Sequence, residues 1–223
     1  MNTSLLIVLC TMVSVPIIGA VIYERRKRED QLRRYKAVKS KTARSFTQYP
    51  DCVYDLQEAA SMFLQIQRDM GNIFGFTLDT PISVQFSYPD QLSRELYGMP
   101  VNWHPIGMCK LENGEIVVYV EWGMPRPCFY ATLAHEYVHV WQRLGLFLHG
   151  RLEKVEGFAE WVSFILTERA GYDTTMIFDR PSWDPYGIGF RKFRTLQNKY
   201  GIRKTVELAK SKKLNLHVLR GNY

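Results

Sequence analysis

The feature that most constrains this 223-residue chain is the motif His-Glu-x-x-His at positions 135–139. On an α-helix, residues i and i+4 share one face, with their side chains about 5–6 Å apart. His135 and His139 can therefore bind one metal ion together, while Glu136 is left beside them to act on a water molecule. A metal site of this kind also needs a third protein ligand, so the fold must bring another element to this helix.

The third ligand is predicted in the next helix, where the sequence 156–161 reads Glu-Gly-Phe-Ala-Glu-Trp. Sixteen residues separate His139 from Glu156, enough for a loop to return the chain antiparallel. A His₂Glu set leaves the fourth position of a Zn²⁺ ion open for water, which is the catalytic arrangement. Glu160 lies one turn further along the same face and is predicted to accept a hydrogen bond from a ligand histidine.

Each of these assignments has a plainer alternative. The motif could be a solvated polar helix face, Glu156 an exposed helix glutamate, and Glu160 one member of a surface salt bridge. The two motifs at a workable spacing, with a predicted strand just upstream, favour the metal site.

This ligand set predicts a zinc-dependent metallopeptidase that hydrolyses peptide bonds. Zn²⁺ acidifies water and polarises a carbonyl group, and Glu136 is predicted to act as the general base and to pass the proton to the leaving amine. The oxyanion needs a second stabilising group. Tyr172, Tyr186 and His149 are all of suitable type, and the sequence does not choose among them.

The hydrophobic pattern of residues 51–223 predicts one α+β domain, with a short mixed sheet, the motif helix and C-terminal helices. Strands are predicted at 81–86, 106–110 and 115–121. The last of these, 115–121, is expected to bind an extended substrate at a sheet edge. Helices are predicted at 53–70, 90–97, 129–144, 153–170, 186–200 and 202–210, with Gly71, Gly145, Gly171 and Gly201 as stop signals.

The first 23 residues are predicted to be a transmembrane signal anchor. Residues 4–23 are almost wholly apolar, and twenty such residues suit a bilayer core about 30 Å thick. Four basic residues, 25–28, follow directly, so the positive-inside rule puts the C-terminal side in the cytosol. We therefore expect a single-pass membrane protein with a cytosolic catalytic domain. The alternatives are a buried core helix for the apolar run, and a domain in the outer compartment.

The net charge of +7 comes from one short segment. Residues 24–44 hold ten Lys or Arg against three Asp or Glu, and the remaining chain has 19 residues of each sign. This predicts a basic juxtamembrane linker over 24–50, which either touches anionic lipid or is simply solvated, and a neutral domain over 51–223. A neutral domain argues against a nucleic-acid-binding surface. The predicted partners are a protein or peptide substrate and the membrane.

Residues on both sides of the two motifs match a known pattern. They are Gly123-Met124-Pro125-Arg126, Leu133-Ala134-His135-Glu136, His139-x-Trp141-x-Arg143-Leu144-x-Leu146 and Val155-Glu156-Gly157, with weaker agreement at Gly107-Met108-Cys109. The pattern resembles the gluzincin metallopeptidases, in which the glutamate before glycine is the third zinc ligand. It is more closely similar to the C-terminal peptidase domain of the ubiquitin-activated, LIM-domain growth-regulating peptidases of plants. The similarity covers roughly residues 80–170.

The resemblance implies a small zincin-like metallopeptidase domain, with His135, His139 and Glu156 as zinc ligands and Glu136 as the catalytic carboxylate. This chain has no LIM-type cysteine pairs and no ubiquitin-interacting helix, so activation by ubiquitin is not carried over. Two functions stay open: a membrane-anchored zinc peptidase, and a zinc-stabilised, membrane-tethered interaction module without turnover. Glu136 favours the peptidase, because a scaffold has no need of that carboxylate.

Overall fold

Four helices and a three-stranded sheet form the domain in the computed structural model, which describes residues 51–87, 92, 106–146, 151–175, 177, 178 and 184–211. All of them belong to one compact unit that begins at residue 49. The elements are α1 (Leu56–Phe74), β1 (Ile82–Ser87), β2 (Gly107–Glu112), β3 (Glu115–Glu121), α2 (Arg126–Trp141), a π-helical turn (Gln142–Leu146), α3 (Leu152–Arg169) and α4 (Pro185–Lys210). The predicted α+β class and the short mixed sheet are confirmed.

The sheet has the order β1-β3-β2, with β1 parallel and β2 antiparallel to β3. β2 and β3 form a hairpin whose two turn residues, Asn113 and Gly114, have φ values of 51° and 87°. Positive φ at both positions is what a tight two-residue hairpin needs, and the Asn-Gly pair tolerates it. The prediction that strand 115–121 binds a substrate at a sheet edge is wrong, because β3 pairs with a strand on each side.

Helix α1 is displaced along the chain from its predicted range of 53–70. It begins after Asp55, whose carboxylate accepts a hydrogen bond from the Gln57 N–H at 3.0 Å. Val53 lies outside the helix, because its N–H donates to the Met124 carbonyl. Gly71 does not end the helix; Gly75 does, with a φ of 71° and an N–H that donates to the Gly71 carbonyl. A left-handed residue of this kind is the common helix terminator.

Helix α2 is the centre of the domain. Its apolar residues are buried on all sides, as expected of a helix covered by other elements all round. After Arg126, its only charged or imidazole side chains are His135, Glu136 and His139. α3 runs antiparallel to α2, since the Ser163 hydroxyl donates to the Ala131 carbonyl at 2.6 Å while Glu156 lies at the other end of α2. The predicted antiparallel return is confirmed.

Helix α4 packs closely on α3 through two glycines. A Cβ built on Gly157 would lie 2.5 Å from the Gly189 carbonyl carbon and 2.9 Å from the Phe190 nitrogen. The two backbones are therefore nearly in contact one residue after Glu156. Further along, α4 bends at Gly201, whose φ of 78° is not helical, which confirms the predicted break between two helical segments.

Aromatic side chains of α2, α3 and α4 pack together with Phe76, which follows α1, to form much of the core. The rings of Phe76 and Trp141 stack at 3.7 Å between centroids, and those of Trp161 and Phe193 stack at 5.8 Å. Trp141 and Trp161 are both buried in this core.

Three predictions fall partly or wholly outside the described residues. They are the anchor over 1–23, the basic linker over 24–50, and the helix over 90–97, of which the structure describes Leu92 alone. In the part of the chain that the structure describes, no helix has the length and apolar character needed to cross a membrane.

Candidate metal centre

Side chains from α2 and α3 meet at one point, as the two motifs predict. The Nε2 atoms of His135 and His139 lie 3.0 Å apart. The Oε2 atom of Glu156 lies 3.3 Å from the first and 3.2 Å from the second. These three residues form a group that can hold a metal ion. The predicted third ligand, Glu156, is therefore where the spacing of the motifs puts it.

The outward-facing nitrogens of both histidines also have partners. Nδ1 of His135 lies 3.2 Å from Oε2 of Glu160, which is buried. Nδ1 of His139 lies 2.7 Å from Oε1 of Gln142. Carboxylate and amide oxygens only accept hydrogen bonds, so each Nδ1 carries the proton of its neutral ring. Each Nε2 then presents a lone pair towards Glu156.

Three electron-pair donors thus face one another at about 3 Å, an arrangement that is repulsive unless a cation or a proton lies between them. The separations fit a metal ion. Ligand atoms at 2.0–2.1 Å from a tetrahedral Zn²⁺ ion are about 3.3 Å apart, against 3.0, 3.2 and 3.3 Å here. Two imidazoles and one carboxylate are also a donor set that zinc prefers.

Without a metal, a proton takes the place of the cation. Burial disfavours the charged form of His135, but hydrogen bonds to Glu156 and Glu160 outweigh burial and raise the pKa of His135 to about 10. Burial likewise opposes ionisation of Glu156, yet hydrogen bonds from His135 and His139 hold its pKa far below the usual value of a glutamate. The site is therefore built for positive charge, which a divalent ion can supply more fully than one proton.

The Glu136 side chain lies against the start of β2. A Cβ built on Gly107 would lie 3.0 Å from Cγ and 3.3 Å from Oε1 of Glu136. In the described part of the chain, no side chain or backbone group is hydrogen-bonded to the Glu136 carboxylate. Cys109 is nearby, and burial together with the negative charge of Glu136 raises its pKa to about 12. The neighbours of the Glu136 carboxylate are therefore the neutral Cys109 thiol and Gly107, which has no side chain.

The sequence offered three side chains that could stabilise the oxyanion, and the structure puts one of them beside the three converging residues. The Tyr186 ring, at the start of α4, stacks on the His135 ring at 5.9 Å with 24° between their planes. Tyr172 instead packs on Tyr130, in another part of the domain. His149, the third candidate, lies outside the described residues.

Gln142 is the contributor that the sequence reasoning missed. It lies three residues after His139, and side chains at i and i+3 are neighbours on a helix. That spacing was available in the sequence, but glutamine does not stand out as a partner of histidine in the way that Glu160 does. No family model, no curated protein and no solved structure matches this chain.

Proposed function

We propose that this protein is a zinc-dependent metallopeptidase of the zincin-like type, with His135, His139 and Glu156 as ligands. The observation that carries the proposal is the convergence of three electron-pair donors, two of them histidines held by neighbouring side chains, beside a carboxylate that has no hydrogen-bond partner among the described residues. Three protein ligands leave a coordination position for water, as catalytic zinc sites do. When bound, Zn²⁺ supplies the acidification of water and the polarisation of a carbonyl group.

Glu136 does the proton chemistry in this proposal. It takes a proton from the attacking water and delivers it to the amine that leaves when the peptide bond breaks. A carboxylate is suited to this shuttle when nothing else competes for its oxygens. Tyr186 is the side chain proposed as the second stabiliser of the oxyanion, because its ring packs against ligand His135.

An extended substrate is proposed to lie along β2. β2 is the outer strand of the described sheet on the side of α2, and its first residue, Gly107, lies against Glu136. The Cys109 carbonyl already accepts a hydrogen bond from Arg143 Nη1 at 2.6 Å. Pairing with a peptide is therefore proposed at the Gly107 end of the strand, where the backbone is nearest to the catalytic carboxylate.

The membrane anchor stays part of the proposal, on the apolar run 4–23 and the basic residues 25–28. The catalytic domain is proposed to act at the cytosolic face. Treatment of sealed vesicles with added protease tests this orientation. If the domain is digested only when the protease reaches the non-cytosolic face, the proposed orientation is contradicted.

The test of the proposed activity is the substitution Glu136→Gln. It keeps the size of the side chain and removes the ability to accept and return a proton. We expect the variant to bind one zinc ion per chain, like the wild type, and to lose hydrolysis of a broad peptide library by about 100-fold or more. Metal analysis and mass spectrometry of the peptide products are the two measurements.

Glu168→Gln is the matched control, because it makes the same chemical change at an exposed position of α3. It should leave both zinc content and hydrolysis unchanged. Hydrolysis by Glu136→Gln at the wild-type rate would refute the mechanism. A wild-type protein that binds zinc but cleaves no peptide would favour the interaction module instead.

A further inference from the structure

A buried glutamine connects one metal ligand to the helix that carries another. Gln142 is the first residue of the π-helical turn after α2, and the residue is only 9% exposed. Its Oε1 atom lies 2.7 Å from Nδ1 of His139, and its Nε2 donates to the Val155 carbonyl at 3.0 Å. Val155 immediately precedes Glu156. The amide group therefore spans the gap between the two halves of the site.

The chemistry of its partners sets the orientation of this amide. The Val155 carbonyl can only accept a hydrogen bond, so it must face the NH₂ group of Gln142. The amide oxygen must then face His139, and an oxygen can be satisfied there only by a ring N–H. The proton of neutral His139 is thereby placed on Nδ1, and Nε2 is left with the lone pair that faces His135 and Glu156.

The two histidines receive this support from groups of different charge. Glu160 is a carboxylate behind His135, whereas Gln142 is a neutral amide behind His139. Glu136, Glu156 and Glu160 already bring three carboxylates to the site, so a fourth would add repulsion that one divalent ion cannot balance. An amide orients the ring without adding charge. It also donates an N–H group to the Val155 carbonyl, which an ionised carboxylate could not do.

We propose that Gln142 is a positioning residue of the metal site, which fixes the tautomer of His139 and locks its ring to α3. This inference rests on the proposed function for the presence of the metal, but it concerns metal affinity rather than turnover. Removing an outer hydrogen-bond partner of a ligand histidine typically weakens metal binding 10- to 100-fold. The same loss is expected here, because nothing else in the described residues holds Nδ1 of His139.

The test is Gln142→Met, which keeps the length of the side chain and removes both hydrogen bonds. Gln197→Met is the matched control, because the Gln197 amide oxygen also accepts a short hydrogen bond, from the Trp161 indole N–H at 2.7 Å, and not from a proposed metal ligand. We expect the zinc dissociation constant, measured by competition with a chromophoric chelator, to rise 10- to 100-fold in Gln142→Met and to stay within twofold in Gln197→Met.

A spectroscopic measurement separates positioning from a general loss of stability. The zinc-loaded wild type should show two histidine ring N–H signals protected from exchange, one from His135 and one from His139, in a ¹H–¹⁵N correlation spectrum. Gln142→Met should lose one of them and keep the other. If that variant does not fold, the wild-type spectrum alone decides: absence of a protected His139 Nδ1–H signal overturns the inference.

The outcomes also distinguish this inference from the proposed function. Unchanged zinc affinity in Gln142→Met, beside loss of hydrolysis in Glu136→Gln, would overturn the role of Gln142 and leave the peptidase intact. If Gln142→Met binds zinc more weakly than the wild type, but the wild type cleaves no peptide, the role of Gln142 would be supported and the peptidase refuted. An equal loss of affinity in Gln197→Met would overturn the inference, because the effect would then be one of stability.

Discussion

Replacing Gly157 by alanine should destabilise the domain, although alanine is the better helix former. Both Gly157 and Gly71 lie inside helices, where exchange of glycine for alanine alone stabilises by roughly 0.5–1 kcal/mol. At Gly71 the new Cβ would be 3.4 Å from a Thr77 methyl carbon, an ordinary contact. At Gly157 it would be 2.5 Å from the Gly189 carbonyl carbon. The same substitution should therefore have opposite signs at the two positions.

The size of the effect follows from the distance. Carbon atoms pack at about 3.5–4.0 Å, so α3 and α4 would have to separate by roughly 1 Å or more to admit the methyl group. Overpacking of this kind costs about 1–3 kcal/mol. The atoms that the new methyl group would meet are backbone atoms of Gly189 and Phe190, which cannot move aside as a side chain can. We therefore expect a cost in the upper part of that range. After the gain in helix propensity, the free energy of unfolding should fall by about 2 kcal/mol.

Thermal unfolding in a chelating buffer measures this difference without a contribution from metal binding. For a chain of this size, 1 kcal/mol shifts Tm by roughly 2–4 °C. Gly157→Ala should thus lower Tm by about 4–8 °C, and Gly71→Ala should raise it by about 2 °C. A Gly157→Ala variant as stable as the wild type would show that α3 and α4 do not pack this closely.

Two further predictions concern the metal site. Gly107→Ala should keep zinc affinity but lower the rate of hydrolysis about tenfold or more. The reason is that the new Cβ would lie 2.6 Å from Thr132 Cγ2 and 3.0 Å from Glu136 Cγ, so Glu136 would have to move. Hydrolysis at the wild-type rate would contradict the role proposed for Glu136. Zinc affinity should rise with pH. With a pKa of about 10 in the metal-free protein, His135 is protonated at pH 7 and must lose that proton to bind the metal. We expect about tenfold tighter binding per pH unit between pH 7 and 9, by chelator competition, and a pH-independent constant would refute the electrostatic argument.

Much of the local structure could be read from the sequence. The strands around Asn113-Gly114, the break at Gly201 and the helix pair 129–144 and 153–170 follow from side-chain period and turn residues. The errors came where tertiary contacts compete with local signals. Gly71 looks like a helix stop, but the helix passes through it, because its apolar side continues to the buried Phe74 and Gly75 supplies the left-handed end.

The role of strand 115–121 shows a second kind of limit. Its alternation and β-branched residues identify a strand, but they do not say how many neighbours it has. Pairing depends on where β1 returns from elsewhere in the chain, which no local pattern encodes. Only the assembled sheet puts β3 in the centre and β2 beside Glu136.

The sequence by itself determined that His135, His139 and Glu156 could meet, because helical spacing puts the two histidines on one face and the next helix opens with an acidic residue. The tertiary structure decided what surrounds them. The close approach of α3 and α4 through Gly157 and Gly189, and the bond from Gln142 to the Val155 carbonyl, depend on how separate helices pack. Such contacts join residues far apart in the chain, so they arise only when the whole domain has folded.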